Sequence, residues 1–300
     1  MLFDMKKFLL AGMMMLVALS MSAQIKVAPK MQKGDKKVYV TEASTSSTQV
    51  TMNVITETVY EVKDVTADGY VIDSYVGDCK VETDTTSLVN RIGSIAAGMT
   101  KGLHALYSTD KDGQIQKILN YDEMLKAADD MLEKVFSTIQ LPATMTKEKI
   151  KAAAMLSISE DAMLANMKMS DNPFCLNGKT VSNGMEDTFS TKEGLKLKRT
   201  FTLNADGSIK TEGKMDMSTD DIIAMITKMT GQMSPEMTQN EAIKEQITQL
   251  INSGMVKFAA TNNASYTFTD DGWVKSINSD YSFQIMGQKF DTKAKVTLKQ

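Results

Sequence analysis

Apolar and polar residues alternate in several separated stretches: Val38-Tyr39-Val40, Thr51-Met52-Asn53-Val54-Ile55-Thr56, Leu195-Lys196-Leu197-Lys198 and Lys293-Ala294-Lys295-Val296-Thr297-Leu298. A period of two sends successive side chains to opposite faces, so these stretches predict strands with one apolar and one wet face. Between such runs an Asp-Gly pair recurs, in Thr66-Ala67-Asp68-Gly69-Tyr70, Thr109-Asp110-Lys111-Asp112-Gly113, Asn204-Ala205-Asp206-Gly207-Ser208 and Thr269-Asp270-Asp271-Gly272-Trp273. Glycine accepts positive φ without steric cost and aspartate bonds its own backbone, so each pair predicts a hairpin. Repeated hairpins imply an antiparallel sheet.

A helical period interrupts the strands. Asn120 with Glu123 three residues on has the form of a capping box, and Met124, Ala128, Met131, Leu132, Val135, Phe136 and Ile139 then recur on one face until Leu141-Pro142 ends the pattern. Shorter helices are predicted from about 146 to 156 and 159 to 167. Ser218, with Asp220 and Asp221 where carboxylates suit the positive end of the helix dipole, starts another that runs to about Gly231, and a further one spans 234 to 251. The weakest helical pattern is Ser87 to Leu103, which carries Leu88, Ile92, Ile95, Met99 and Leu103 on one face but Gly93, Gly98 and Gly102 inside it; each glycine costs about 1 kcal/mol relative to alanine. The helical blocks thus fall near 86–104, 120–169 and 218–252. Helices grouped in blocks between hairpins predict an α+β fold, a large curved antiparallel sheet of half-barrel type with helices packed on one face. No Pro-rich or Ser/Gly-rich linker divides residues 24–300, which are read as a single domain.

The N-terminus changes the expected address. Lys6 and Lys7 precede an uncharged run from Phe8 to Leu19 and a small-residue stretch ending at Ala23, the three-part pattern of a signal peptide over residues 1–23. That run is too short to span a bilayer as a helix, for which about 20 residues are needed. No cysteine stands directly after it, so the lipoprotein acylation site is not expected, and the expected location is the periplasm or the medium. The net charge of −3 gives no pull towards nucleic acid. Cys79 and Cys175 are the two cysteines; in an oxidising compartment they could form one bridge, and two buried free thiols are the equal alternative.

Reactive constellations are sparse. The single histidine, His104, has no second imidazole and no sequence-adjacent acid, and is read as a surface or capping residue at the end of the weak helix. The hydrolase, P-loop and zincin signatures are missing, Asp110 to Gly113 reads as a hairpin rather than a calcium loop, and no metal or cofactor is expected. The acid pairs Asp129-Asp130, Asp220-Asp221 and Asp270-Asp271 fall on a helix face, a helix start and a turn, where carboxylates serve structure. In Lys192 to Arg199 the lysines are read as the solvent face of an outer strand. Methionine is the one excess, 25 in all with six before residue 24. Thioethers bind Cu(I), but Gly231 and Pro235 break the Met225, Met229, Met233, Met237 spacing, so packing or an adaptable cavity lining is the better account.

Gln24 after the signal, Lys33-Gly34-Asp35 before the first strand, the strand-turn-strand Tyr107 to Leu119 followed by Asn120-Tyr121-Asp122-Glu123, and the C-terminal hairpins together resemble a group of Bacteroidetes secreted proteins of unknown function. The layout is also similar, more distantly, to periplasmic lipoprotein-carrier-like half-barrels, which implies a curved sheet around helices and an apolar cavity. The expectation is an exported, non-enzymatic envelope protein that binds a lipid or acyl chain between sheet and helices, at Leu88, Ile92, Ile95, Met99, Met225 and Met229. The alternative is an envelope interaction or scaffold module that docks a protein partner.

Overall fold

The computed structural model describes residues 24–47, 51–83, 101–138, 146–148, 151–152, 155, 158–191, 195–225, 245, 248–249, 251, 258–285 and 288–299. The chain opens with β1 (Gln24–Lys26), then runs a meander of β2 (Lys36–Ser46), β3 (Thr51–Val65), β4 (Tyr70–Thr83), β5 (His104–Thr109) and β6 (Ile115–Ile118). Helices α1 (Tyr121–Thr138) and α2 (Glu160–Asn166) follow, and β7 (Thr180–Ser182) returns to pair with β1. A second meander comprises β8 (Glu186–Ser190), β9 (Lys196–Leu203), β10 (Ile209–Met215), β11 (Phe258–Phe268), β12 (Val274–Ile285) and β13 (Gln288–Leu298). The two meanders join where β13 pairs antiparallel with β2, giving an open eleven-stranded antiparallel sheet in the order β6-β5-β4-β3-β2-β13-β12-β11-β10-β9-β8.

All four Asp-Gly segments are hairpins. Three share one geometry, in which the amide of Gly113, Gly207 or Gly272 bonds back three residues (3.1, 3.0 and 2.9 Å) and the glycine sits at φ 79°, 78° or 83°. That is a tight turn with the glycine as the left-handed bulge residue. The hairpin at Asp68-Gly69 differs: Gly69 is not at positive φ, and a Cβ there would lie 2.0 Å from the Thr109 carbonyl oxygen. Glycine stands there because the β5–β6 turn crosses against it.

The buried side chains follow the alternation. Tyr39, Tyr60, Val62, Ile72, Phe201, Tyr266, Ile277 and Val296 face one way and pack with Trp273 around Phe174, Cys175 and Leu176 of the segment that crosses the sheet after α2. Both meanders contribute to this cluster, so the crossing segment is the shared centre of the core. On the same face, Met124 of α1 and Met163, Leu164 and Met167 around α2 pack on Ala105, Tyr107 and Ile118. A helix over 219–225 places Met225 against Phe189, Leu197 and Ala260. Its start is the predicted one: the Ser218 hydroxyl accepts from the Asp221 amide at 3.2 Å, and the Asp221 carboxylate accepts from the Ser218 amide at 3.1 Å. Ser159 caps α2 in the same manner, accepting from the Ala162 amide.

Several expectations are corrected. Helix α1 begins where expected, but the Asn120 side chain does not cap it. Its Oδ1 accepts from the Leu106 amide at 2.8 Å and its Nδ2 donates to the His104 carbonyl at 3.0 Å, extending the β5 ladder instead. His104 is not the end of a helix but the first residue of β5. The Lys196/Lys198 strand is interior, between β8 and β10, and its lysines pair with Asp221 and Glu186 at 2.6 and 2.9 Å. Cys79 and Cys175 are free thiols. Cys175 lies against Tyr266 on β11, whereas Cys79 on β4 is five strands away across the sheet, on the order of 24 Å along its surface and far beyond bridging reach.

Candidate functional site

The register defines three rows of side chains across the inner face. In the first, Ile209, Tyr266, Ile277, Val296 and Thr41 are cross-strand neighbours and the row is filled by large apolar groups. The second runs through Thr211, Ala264, Ser279, Ala294 and Ala43, and the third through Arg199, Gly213, Asn262, Tyr281, Thr292 and Thr45. Small side chains in the second row leave the sheet unfilled just where polar groups line the third.

A cavity of about 470 Å³ results, floored by Ser279 and Ala294, flanked by Thr292, Thr45 and Tyr281, and roofed by residues 166–173 with Met169 and Pro173. Its size is that of a small-molecule site. Thr45 and Thr292 share a hydroxyl contact at 3.2 Å. Asn262 lines the cavity at 1% exposure, and its Oδ1 has no hydrogen-bond partner among the described residues. An amide oxygen buried without a partner is costly, so the position favours an occupant that donates a hydrogen bond. Tyr39 and Tyr60 close the apolar end; burial keeps both phenols neutral, pushing Tyr60 up to about 12 and Tyr39 further.

On the other side of the crossing segment lies a cavity of about 530 Å³, between the sheet edges β6 and β8 and beneath α2. Arg199 is its deepest member, 1% exposed, with its guanidinium 4.7 and 5.0 Å from the Phe189 and Phe201 ring centroids. Its Nε and Nη2 donate to the Asp187 carboxylate at 2.9 and 2.8 Å, and Lys179 donates to the same carboxylate at 2.6 Å. Burial alone would raise the Asp187 carboxyl, but the hydrogen bonds and charge of Arg199, backed by Lys179, hold it below the usual range.

A third cluster occupies the outer face. The His104 Nδ1 lies 2.9 Å from the carboxylate of Asp73, which is 5% exposed, and the Tyr75 ring stacks on the imidazole at 4.4 Å. The acid is the diagonal neighbour on β4, so strand register supplies what the local sequence lacks. Among the described residues no serine, threonine or cysteine bonds this imidazole.

Of the six expected ligand residues, Leu88, Ile92, Ile95, Met99 and Met229 lie outside the described residues. Met225 packs in the core with Phe189 and Leu197 and borders neither cavity; Met169 and Met167 border them instead. Sequence reading missed Arg199, although it shares parity with Leu195, Leu197 and Phe201, and that parity was the signal. One member of each acid pair makes a structural contact: Asp129 meets Lys151 at 2.5 Å, Asp221 caps its helix, and Asp271 bonds Lys37 at 3.2 Å. No helix among the described residues is long and apolar enough to cross a membrane.

No family model matches the chain, and no curated protein does. Among solved structures it is similar to lipovitellin, in a structure concerned with lipid-protein interactions. The identity is 12% and the TM-score 0.43, over 90% of this chain and 26% of the other. The chain thus spans about a quarter of that protein's length, and a likeness of this degree carries no argument about function.

Proposed function

We propose that this is an exported, non-enzymatic envelope protein that holds an amphipathic ligand on the inner face of a half-barrel sheet, beneath the crossing segment 166–173. Core contacts from both meanders onto Phe174 and Leu176 support the curvature, since strands from opposite halves of the sheet reach one segment. The observation that carries the ligand is buried Asn262 at the wall of a cavity of about 470 Å³, its Oδ1 without a hydrogen-bond partner among the described residues. A bare acyl chain would leave that oxygen without a partner, so the occupant carries a donor at one end and an apolar part along Met169 and Tyr281. This narrows the lipid or acyl chain expected from the sequence to a ligand with a polar head.

Native mass spectrometry of protein purified from the envelope of its own host is expected to show a bound small molecule. Ala294→Phe, which fills the floor, is expected to abolish the added mass while circular dichroism stays unchanged. A bare wild-type mass, or a ligand retained by the folded A294F protein, contradicts the proposal.

A further inference from the structure

We infer that the second cavity, between β6, β8 and α2, is a separate binding site for a small organic monocarboxylate, with Arg199 as the group that receives the carboxylate. The site does not depend on occupation of the central cavity, from which the crossing segment divides it.

Three observations lead there. A guanidinium that spends Nε and Nη2 on one carboxylate leaves Nη1 on its opposite edge, and Nη1 of Arg199 has no hydrogen-bond partner among the described residues although the side chain is 1% exposed and borders the cavity. A buried charged donor left with a free edge is expensive, and an oxyanion is its natural complement. Second, the charges at the cavity do not cancel: Arg199, Lys179 and Lys168 border it against Asp161, and Asp187, bonded to Arg199 and Lys179 from outside the lining, offsets one more, which leaves one positive charge in surplus. A monoanion neutralises that surplus, whereas a dianion overshoots it. Third, Phe174, Phe189, Leu164, Ile115 and Met167 form an apolar part of the wall, beside Gln114, Thr188 and Ser190, and accept a hydrocarbon or aromatic body behind the head. Asn177 borders the cavity too, but its amide already donates to the Gly113 carbonyl at 3.1 Å.

The test uses three probes with one tail, octanoate, octyl phosphate and 1-octanol, titrated calorimetrically into the mature protein at pH 7.5. Trp273, the sole tryptophan, meets Phe174 edge-on at 6.0 Å and provides an emission signal from the cavity wall. Octanoate is expected to bind with one site per chain, at least tenfold more tightly than octanol and more tightly than octyl phosphate. Leu164→Trp, which obstructs the cavity from α2, is expected to abolish octanoate binding. The double change Asp187→Asn with Arg199→Gln removes both buried charges together and is expected to erase the preference for octanoate over octanol. Should that double variant fail to fold, the wild-type ranking and the L164W result still decide the matter. Equal affinity for octanol and octanoate, preference for octyl phosphate, or octanoate binding that survives in folded L164W overturns the assignment.

Discussion

Gly69 and Gly207 hold the same place in two Asp-Gly reversals for different physical reasons. Gly207 needs its left-handed φ of 78°, and nothing lies within 4 Å of the position a Cβ would take. Gly207→Ala is therefore expected to cost about 1 kcal/mol, the conformational penalty alone. At Gly69 a Cβ would lie 2.0 Å from the Thr109 carbonyl oxygen and 2.5 Å from the Asp110 carbonyl carbon, both backbone atoms. Gly69→Ala must displace the β5–β6 turn, and urea unfolding is expected to show at least twice the loss seen for G207A; equal losses would mean that the two turns do not touch. Asp187 gives the pH counterpart. Its folded-state pKa is depressed, so its contribution is complete above the unfolded value of about 4 and is lost as pH falls through the folded value. Asp187→Asn leaves the Arg199 charge buried with a weaker partner, a change that costs about 3 kcal/mol or more at neutral pH. The variant is also expected to lose less stability than wild type between about pH 5 and pH 2. Parallel curves for the two proteins over that window would show that the pair does not stabilise the fold.

At the level of elements, what was legible in the sequence is what local chemistry decides. The hairpins could be read because glycine and aspartate fix a turn within five residues, and α1 because its buried set Met124, Ala128, Leu132 and Phe136 keeps a helical period. What could not be read depends on which strand lies next to which. The edge role given to Lys196 and Lys198 failed because solvent exposure on one face does not distinguish an outer strand from an interior one in a sheet that is wet on one side. The Asp73–His104 pair and the row from Arg199 to Thr45 come from register, which no segment of the sequence specifies by itself. A cavity was expected, but its lining could not be read for the same reason, because small residues such as Ser279 and Ala294 mean nothing until they stand side by side. Asn120 is the instructive half-success, since it marks the start of α1 while its side chain serves β5. Asn120→Ser tests this division. A cap alone would tolerate serine with little change. Loss of the bonds to Leu106 and His104 is expected to cost about 1 kcal/mol in urea unfolding.

For the molecule as a whole, the two meanders meet along β2 and β13 and again through the segment Phe174 to Leu176, which both of them bury. If that shared centre holds the halves together, Cys175 is released when they part and not before. Cys79, half-buried on β4, belongs to one half alone. The Cys175 thiol, 6% exposed, is pushed up to about 11 chiefly by burial, so at pH 8 the native protein offers a labelling reagent very little thiolate. Cys79 is accordingly expected to react within the native state, at a rate insensitive to mild denaturant. Cys175 is expected to be slower by several orders of magnitude in water, and the logarithm of its rate should rise linearly with urea, with the slope of global unfolding. Pulsed labelling read by mass spectrometry separates the two sites. A Cys175 slope well below the global value would show that the crossing segment lifts off by itself, leaving the sheet intact, and the two cavities beside it would then share a movable wall. A slope equal to the global value makes that wall as rigid as the fold, with both cavities preformed.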